Sequence, residues 1–147
     1  MRRLVCRGIS VTACLLSGVV WAETSYLCPE TARLESAVVA PASLPEGFAL
    51  AARKEPIRLS GISVFDGPPE RNAVLIPAAE RGDLRRKETV FLWKFEGSYP
   101  EGKYVSCDYA QGVLHLHVRV AEAVTQCEAF TARKKPHDTL TARFVCR

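Results

Sequence analysis

Four cysteines in a chain that begins with an export signal limit most strongly how this sequence can fold. The first residues combine a basic start with an uncharged apolar stretch over 9–21 and a small-residue cleavage pattern ending at Ala22. These are the three parts of a secretory signal peptide. We therefore predict a leader over residues 1–22, cleavage before Glu23, and a mature protein in the periplasm.

The cysteines that remain after cleavage are Cys28, Cys107, Cys127 and Cys146. An even number of cysteines in a small exported domain is typical of a disulfide framework. We expect two disulfides. Four cysteines allow three pairings, and their spacing does not choose among them.

The mature part has an apolar period close to two rather than 3.6, which favours β-strands over helices. We predict one all-β domain over 23–147, built as a small antiparallel β-sandwich or a strongly curved sheet and stapled by the disulfides. The predicted strands are 31–39, 47–52, 57–65, 73–76, 89–96, 103–110, 113–121, 124–131 and 139–146. Two segments, 30–37 and 78–88, stay open as alternative helices.

The clearest hairpin turns at Gln111-Gly112, read as a two-residue loop. Pairing about this turn places Cys107 opposite Leu116 on an apolar face and Asp108 opposite His115 on a polar face. A slip of one residue would exchange the two faces, so the pattern defines the register. Cys107 is expected to point into the core.

The last hairpin turns near Pro136 and places Cys127 opposite Cys146. Directly opposed strand residues are close enough for a disulfide. We therefore favour Cys127–Cys146, which leaves Cys28–Cys107. The pairing of Cys107 with Cys127 and of Cys28 with Cys146 stays open as the main alternative.

A further strand, 89–96, carries Phe91, Trp93 and Phe95 on one face. Three aromatic side chains on one face of a strand indicate core packing. A loop over 97–102 would let this strand pair with residues 105–109, and it would then bring Trp93 beside Cys107.

Charge and motifs exclude several function classes. The leader holds three of the 20 Lys and Arg residues and none of the 16 Asp and Glu residues, so the mature part carries 17 against 16, a net charge of +1. That balance argues against nucleic-acid binding.

No apolar run reaches the ~18 residues that span a bilayer. There is no Gly-x-Ser-x-Gly elbow and no glycine-rich phosphate loop, so we do not expect an enzyme.

The strongest candidate for a functional site is the pair His115-x-His117, with Asp108 predicted to lie across from His115. Residues i and i+2 share a strand face, so two imidazoles and a carboxylate would lie together. Such a set can bind Zn²⁺. A metal-binding protein or metal-dependent enzyme is therefore an alternative to our main prediction, in which there is no cofactor.

A second alternative concerns the leader. Val11-Thr12-Ala13-Cys14 resembles the lipobox of bacterial lipoproteins, in which the cysteine becomes the lipidated first residue. That cleavage would leave only residues 8–13 as the apolar part of the leader, fewer than the ~7–15 that a signal peptide carries. An envelope lipoprotein is the corresponding alternative function.

Several short motifs occur together in a recognisable order. They are Cys28-Pro29, Pro45-Glu46-Gly47-Phe48, Phe65-Asp66-Gly67-Pro68-Pro69, Leu75-Ile76-Pro77, Trp93-Lys94-Phe95, Cys107-Asp108-Tyr109 and Cys127. The ordered set resembles a family of small, exported, uncharacterised proteobacterial proteins that occur beside secretion-system loci. The resemblance implies export and carries over no catalytic residue.

These observations together predict a periplasmic, non-catalytic module that binds another envelope or secreted protein. A rigid sheet that is crosslinked by disulfides and carries loops suits recognition of another protein. The sequence shows no complete set of catalytic residues. The family context suggests an inhibitor or immunity-like role.

Overall fold

The computed structural model describes residues 23–34, 55–83, 85 and 87–147 of the chain. The predicted leader, Cys14 and the predicted strand 47–52 lie outside the described residues, as does the second half of the predicted strand 31–39. Within the described ranges the molecule consists of antiparallel strands joined by turns and two short 3₁₀ segments. No helix in these ranges is long and apolar enough to cross a membrane.

Two antiparallel sheets make up the described structure, which confirms the all-β prediction. The strands are β1 Thr24–Leu27, β2 Thr31–Ala32, β3 Ile57–Asp66, β4 Ala79–Asp83, β5 Glu88–Lys94, β6 Lys103–Tyr109, β7 Leu114–Val120, β8 Gln126–Lys134 and β9 Thr139–Cys146. The first sheet has the order β1-β9-β8-β5-β4, and the second has the order β2-β3-β6-β7. The 3₁₀ segments are Pro69–Arg71 and Ala110–Gly112.

Both hairpins have the registers that the sequence predicted. Cys107 pairs with Leu116 and Asp108 with His115 in β6–β7, and Cys127 pairs with Cys146 in β8–β9. The β6–β7 loop differs from the two-residue turn that was expected. It spans 110–113 and places three successive residues, Ala110 to Gly112, at φ values of 48°, 57° and 85°.

The predicted partner of the aromatic strand was wrong. β5 pairs with β4 and β8 in the first sheet, so Trp93 lies opposite Cys127 and not beside Cys107. The chain after β5 crosses to the other sheet, where β6 pairs with β3 and β7. The local hairpin was expected because β5 and β6 are close in the sequence. Trp93 instead buries its ring against Phe144 inside the sandwich, where the centroids of the two rings are 6.2 Å apart.

Two strand predictions also needed correction. Residues 79–83, within the segment left open as a helix, form the edge strand β4, and Gly82 pairs there with Thr89. The predicted strand 73–76 makes only one bridge, between Val74 and Phe65. β1 was not predicted; it pairs with β9 at the edge of the first sheet.

One hydrophobic cluster contains side chains from both sheets. Val64 and Val105 of the second sheet and Phe144 of the first are at most 2% exposed. Burying one such side chain contributes about 1.5–3 kcal/mol relative to leaving it in water. The two sheets therefore pack as a sandwich around a shared core.

The two disulfides are Cys28–Cys107 and Cys127–Cys146. These are the pairs that the predicted strand registers favoured. The first links the sheets, because the Cys28 N–H donates to the Ala142 carbonyl of β9 while Cys107 lies in the middle of β6. The second joins neighbouring strands of the first sheet. One crosslink therefore fastens the sheets together and the other closes a hairpin.

Lys103 is a buried cation at the start of β6, only 4% exposed. Its Nζ donates to the carbonyls of Glu122 and Val124 at 3.0 and 2.6 Å and lies 5.0 Å from the centroid of the Phe95 ring. Burial lowers the pKa of the Lys103 ammonium, and the Glu122 carboxylate partly offsets this. The lysine thus ties the β7–β8 connection to the sandwich.

Candidate functional site

A concave polar face lies on the outer side of the second sheet. In the register of β3, β6 and β7, Gly61 is opposite Asp108 and Ser63 is opposite Ser106, and Asp108 is in turn opposite His115. These residues share one face because successive strand residues point to opposite sides. The polar face predicted for the β6–β7 hairpin therefore extends across three strands.

The burial of this face differs from the prediction of an outward polar surface. Ser106 is 0% and Asp108 is 6% exposed. The chain after β3 folds back over the sheet: the Asp66 N–H donates to the Ala73 carbonyl, and Val74 bridges to Phe65. This segment covers part of the face and encloses its polar groups.

The opposite face of β7 is open in the middle of the strand, although Val120 at its end is buried in the core. Leu116 is 52% and Val118 is 39% exposed, although both lie on the hairpin face that the sequence pattern predicted to be apolar and to carry Cys107 into the core. β7 is the edge strand of the second sheet. Side chains near a sheet edge are covered only where the facing sheet reaches that far, and the described part of the first sheet does not cover these two.

The carboxylate of Asp108 is the centre of the enclosed polar group. Its Oδ2 accepts the Ser63 hydroxyl at 2.5 Å, and its Oδ1 accepts the Ser106 hydroxyl at 2.7 Å. Nδ1 of His115 lies 2.9 Å from the same Oδ1. The backbone carbonyl of Asp108 accepts the Ser60 hydroxyl at 2.9 Å. Three side-chain donors around one carboxylate hold it in a single orientation.

A pocket of about 470 Å³ opens over this carboxylate. Its lining includes Ser60, Gly61, Ser63, Asp108 and His115, with Phe65 as an aromatic wall. The ring of Phe65 meets His115 edge to face at 5.3 Å between centroids. The site thus combines a polar floor with aromatic side walls, as ligand pockets commonly do.

A second pocket of about 480 Å³ lies beside the first and shares Asn72, Gly112 and His115 with it. Its lining adds Glu70 and His117. The shared residues make the two pockets one continuous groove along the sheet. We call the first the Asp108 pocket and the pair of pockets the polar groove.

The three residues proposed as metal ligands lie on this face. Asp108 and His115 contact each other directly, whereas Nε2 of His117 lies 3.9 Å from Oε1 of Glu70 and its ring packs against Tyr104. No group of three or more His, Cys, Asp and Glu side chains in the described part of the chain is placed to hold a metal ion. Zinc binding by this set stays a prediction.

Ser106, His115 and Asp108 bring together the residue types of a hydrolase triad. In such a triad the serine and the aspartate contact different imidazole nitrogens. Here Nδ1 of His115 lies within reach of both, at 3.4 Å from Ser106 and 2.9 Å from Asp108. The serine hydroxyl is buried and donates to the carboxylate. The arrangement is a hydrogen-bonded floor rather than a proton relay.

Sequence reasoning found Asp108 and His115 but missed Ser60, Gly61 and Ser63. A signal for two of them was present, because Gly61 and Ser63 stand at alternate positions among the apolar residues Ile62, Val64 and Phe65 of β3. Asn72 was missed for another reason. It has a left-handed φ of 55° at the end of a 3₁₀ turn, and only the fold-back of the chain brings it to the pocket.

The sequence of this chain matches a known protein family. Residues 53–147 match the family described as Type VI secretion system Tli immunity protein. The chain belongs to this family. The matched range runs from just before β3 to the last residue, so it contains the whole polar groove and leaves out β1, β2 and Cys28.

Membership agrees with the prediction of a non-catalytic, immunity-like module that binds protein. It also supports the coarser part of the resemblance noted above, that of a small proteobacterial family connected with secretion systems. Searches of curated proteins and of solved structures found no match.

Proposed function

We propose that this protein is exported to the periplasm, where it binds a type VI secretion effector and blocks that effector's activity. The observation that carries the proposal is the family match over residues 53–147, which includes the polar groove and 14 of the 15 residues of the buried hydrophobic cluster, all but Cys28. An immunity protein has to recognise a secreted protein, and a rigid two-sheet scaffold suits that task.

Two features support the periplasm as the place of action. The leader over residues 1–22 predicts export. The two disulfides join all four cysteines of the mature chain. Disulfides of this kind persist in the oxidising periplasm and are rare in the reducing cytosol.

A protection assay tests both parts of the proposal. A type VI effector of the same bacterium is directed to the periplasm of a sensitive host, together with either the full chain or a variant that lacks residues 1–22. We expect protection by the full chain and none by the leaderless variant. Protection by the leaderless variant would contradict the periplasmic site of action.

Titration of purified proteins then separates binding from catalysis. A binding inhibitor removes effector activity in proportion to its amount, until the two proteins are equimolar. An enzyme that modified the effector would act at far lower ratios and with a rate that depends on time. Loss of effector activity at substoichiometric amounts would contradict a non-catalytic mechanism.

A further inference from the structure

We propose that the Asp108 pocket receives a basic side chain, arginine or lysine, from the effector. This inference rests on the proposed function, since it names the groups through which the effector is recognised. It depends on three features of the pocket: a buried carboxylate that still has acceptor capacity, an opening made by a glycine, and a negative charge balance in the groove.

The first feature is the acceptor capacity of Asp108. An ionised carboxylate offers about four lone-pair positions. Ser106 and His115 occupy two positions on Oδ1, while Ser63 occupies one on Oδ2. One position on Oδ2 is therefore left for a further donor. The side chain is 8% exposed, so a donor that reached it would bond in a largely dry environment.

The second feature is Gly61, which lies directly across from Asp108. A Cβ atom at this position would stand 3.9 Å from Oδ2 of Asp108. Atoms beyond such a Cβ would take up space beside the carboxylate. The glycine thus leaves open the approach to the oxygen that has spare acceptor capacity.

The third feature is the charge of the polar groove. Asp108 and Glu70 supply two carboxylates. The two arginines near them in the sequence or on the same sheet face are engaged elsewhere, Arg71 with Glu101 and Arg119 with Glu122. Among the described residues, no lysine or arginine forms an ion pair with Asp108. The nearest groups are histidines, His115 at 2.9 Å from Asp108 and His117 at 3.9 Å from Glu70. With histidines counted as neutral, as in the formal charge of the chain, the groove carries two negative charges and no positive one. The groove is therefore complementary to a cation.

The size and walls of the pocket fit this ligand. Pockets that hold small ligands have volumes of about 300–1,000 Å³, and this one has about 470 Å³. The His115 ring, whose side chain is 24% exposed, lies beside the carboxylate and packs edge to face against the buried Phe65 ring. A planar guanidinium can stack on such an aromatic face. A basic side chain that fills such a pocket becomes a central contact of an interface.

The test uses substitutions that fill the pocket without removing the hydrogen bonds of its floor. Gly61→Val blocks the approach to Asp108, and Gly61→Ala is the milder version, because its methyl group meets only ordinary contacts. Gly82→Val is the matched control: it adds the same side chain to a strand glycine with no atom within 4 Å of the new Cβ. Urea unfolding shows that each variant is folded before binding is measured.

Affinity for the effector that the protection assay identifies is the first readout. We expect Gly61→Val to bind about 30-fold more weakly, the scale of a central interface contact. Gly61→Ala should lose less, and Gly82→Val should bind as the unmodified protein does. Equal affinity of Gly61→Val and the unmodified protein would overturn the pocket assignment.

The second readout does not need the effector. Acetyl-arginine amide and the neutral acetyl-norleucine amide are titrated into isotope-labelled protein, and amide signals are followed by NMR. We expect arginine amide alone to shift Gly61, Ser63 and His115, and Gly61→Val to abolish the shift. Equal shifts with norleucine amide, or none with either compound, would overturn the choice of a cation.

The two readouts separate the two proposals. If the unmodified protein fails to bind the effector, the proposed function fails, and the arginine probe still decides the chemistry of the pocket. If the effector binds but Gly61→Val has no effect, the function stands and the pocket assignment fails.

Discussion

Cys28 and Cys107 form a disulfide across the sandwich, from a residue that hydrogen-bonds to the first sheet to the central strand of the second. Cys127 and Cys146 instead join two strands that are already paired. The two crosslinks therefore constrain the unfolded chain to different degrees, since they close sequence separations of 79 and 19 residues.

Removing the longer crosslink should destabilise the protein more. In the chain-entropy model, loops of these lengths correspond to about 4.5 and about 3 kcal/mol. We expect the double variant Cys28→Ala/Cys107→Ala to lose about 1 kcal/mol more unfolding free energy than Cys127→Ala/Cys146→Ala. Urea unfolding under non-reducing conditions measures both. A Cys127/Cys146 variant that is the less stable of the two would contradict the expectation.

Tyr109 should make stability depend on pH in alkaline solution. Burial raises the pKa of its phenol above the ordinary value of 10.0. The folded state therefore keeps this proton at a pH where the unfolded chain loses it. The contribution is fully present below about pH 10 and is lost as the pH rises through the folded-state pKa.

The variant Tyr109→Phe isolates this effect. At neutral pH we expect it to lose about 1–2 kcal/mol, because the Pro29 carbonyl loses the hydroxyl that donates to it at 2.7 Å. The difference from the unmodified protein should shrink as the pH rises from 9 to 11. Tyr104→Phe, on the other face of the same strand, is the control. If the difference in unfolding free energy grew with pH, the predicted loss of stability from Tyr109 in alkaline solution would be contradicted.

Zinc titration tests the metal hypothesis for His115, His117 and Asp108. Because Asp108 and His115 bond to each other and His117 lies near Glu70, we expect no heat of zinc binding above that of His115→Ala/His117→Ala. Isothermal titration of tag-free mature protein gives the answer. Saturable heat in the unmodified protein alone would establish a metal site on this face.

The mature N-terminus tests the two interpretations of the leader. We expect mass spectrometry of protein from the cell envelope to find a free N-terminus at Glu23. A mature chain that begins with an acylated Cys14 would instead establish the lipoprotein alternative. The two products differ in mass by nine residues and the lipid, so one spectrum distinguishes them.

Strand positions and hairpin registers could be predicted from the sequence where the signal was local. The alternation of apolar and polar residues around Gln111 placed Asp108 opposite His115, and the spacing about Pro136 placed Cys127 opposite Cys146. A slip of one residue would exchange the two faces of a hairpin, so the alternation of side chains defines its register. The register of β6–β7 was therefore predicted correctly, although the predicted loop was too short.

Contacts between distant segments could not be predicted in the same way. Trp93 pairs with Cys127, 34 positions later in the chain, and the preceding residue Leu92 pairs with Ala79 of β4, 13 positions earlier. Alternation shows which face of a strand is apolar but not which other strand it meets. The local hairpin with β6 was therefore as consistent with the sequence as the pairing that the structure adopts.

The sequence by itself determined that this chain is all-β, that Cys28, Cys107, Cys127 and Cys146 pair, and which residues share a strand face. These properties follow from side-chain periodicity and from chemistry that acts within a few residues. Only the tertiary structure decided that Asp108 is enclosed, because its cover comes from the fold-back at Asn72 and its opening from Gly61, on a strand more than 40 residues away. Burial is set by the whole packed fold, so neither an enclosed carboxylate nor a pocket above it has a local signature.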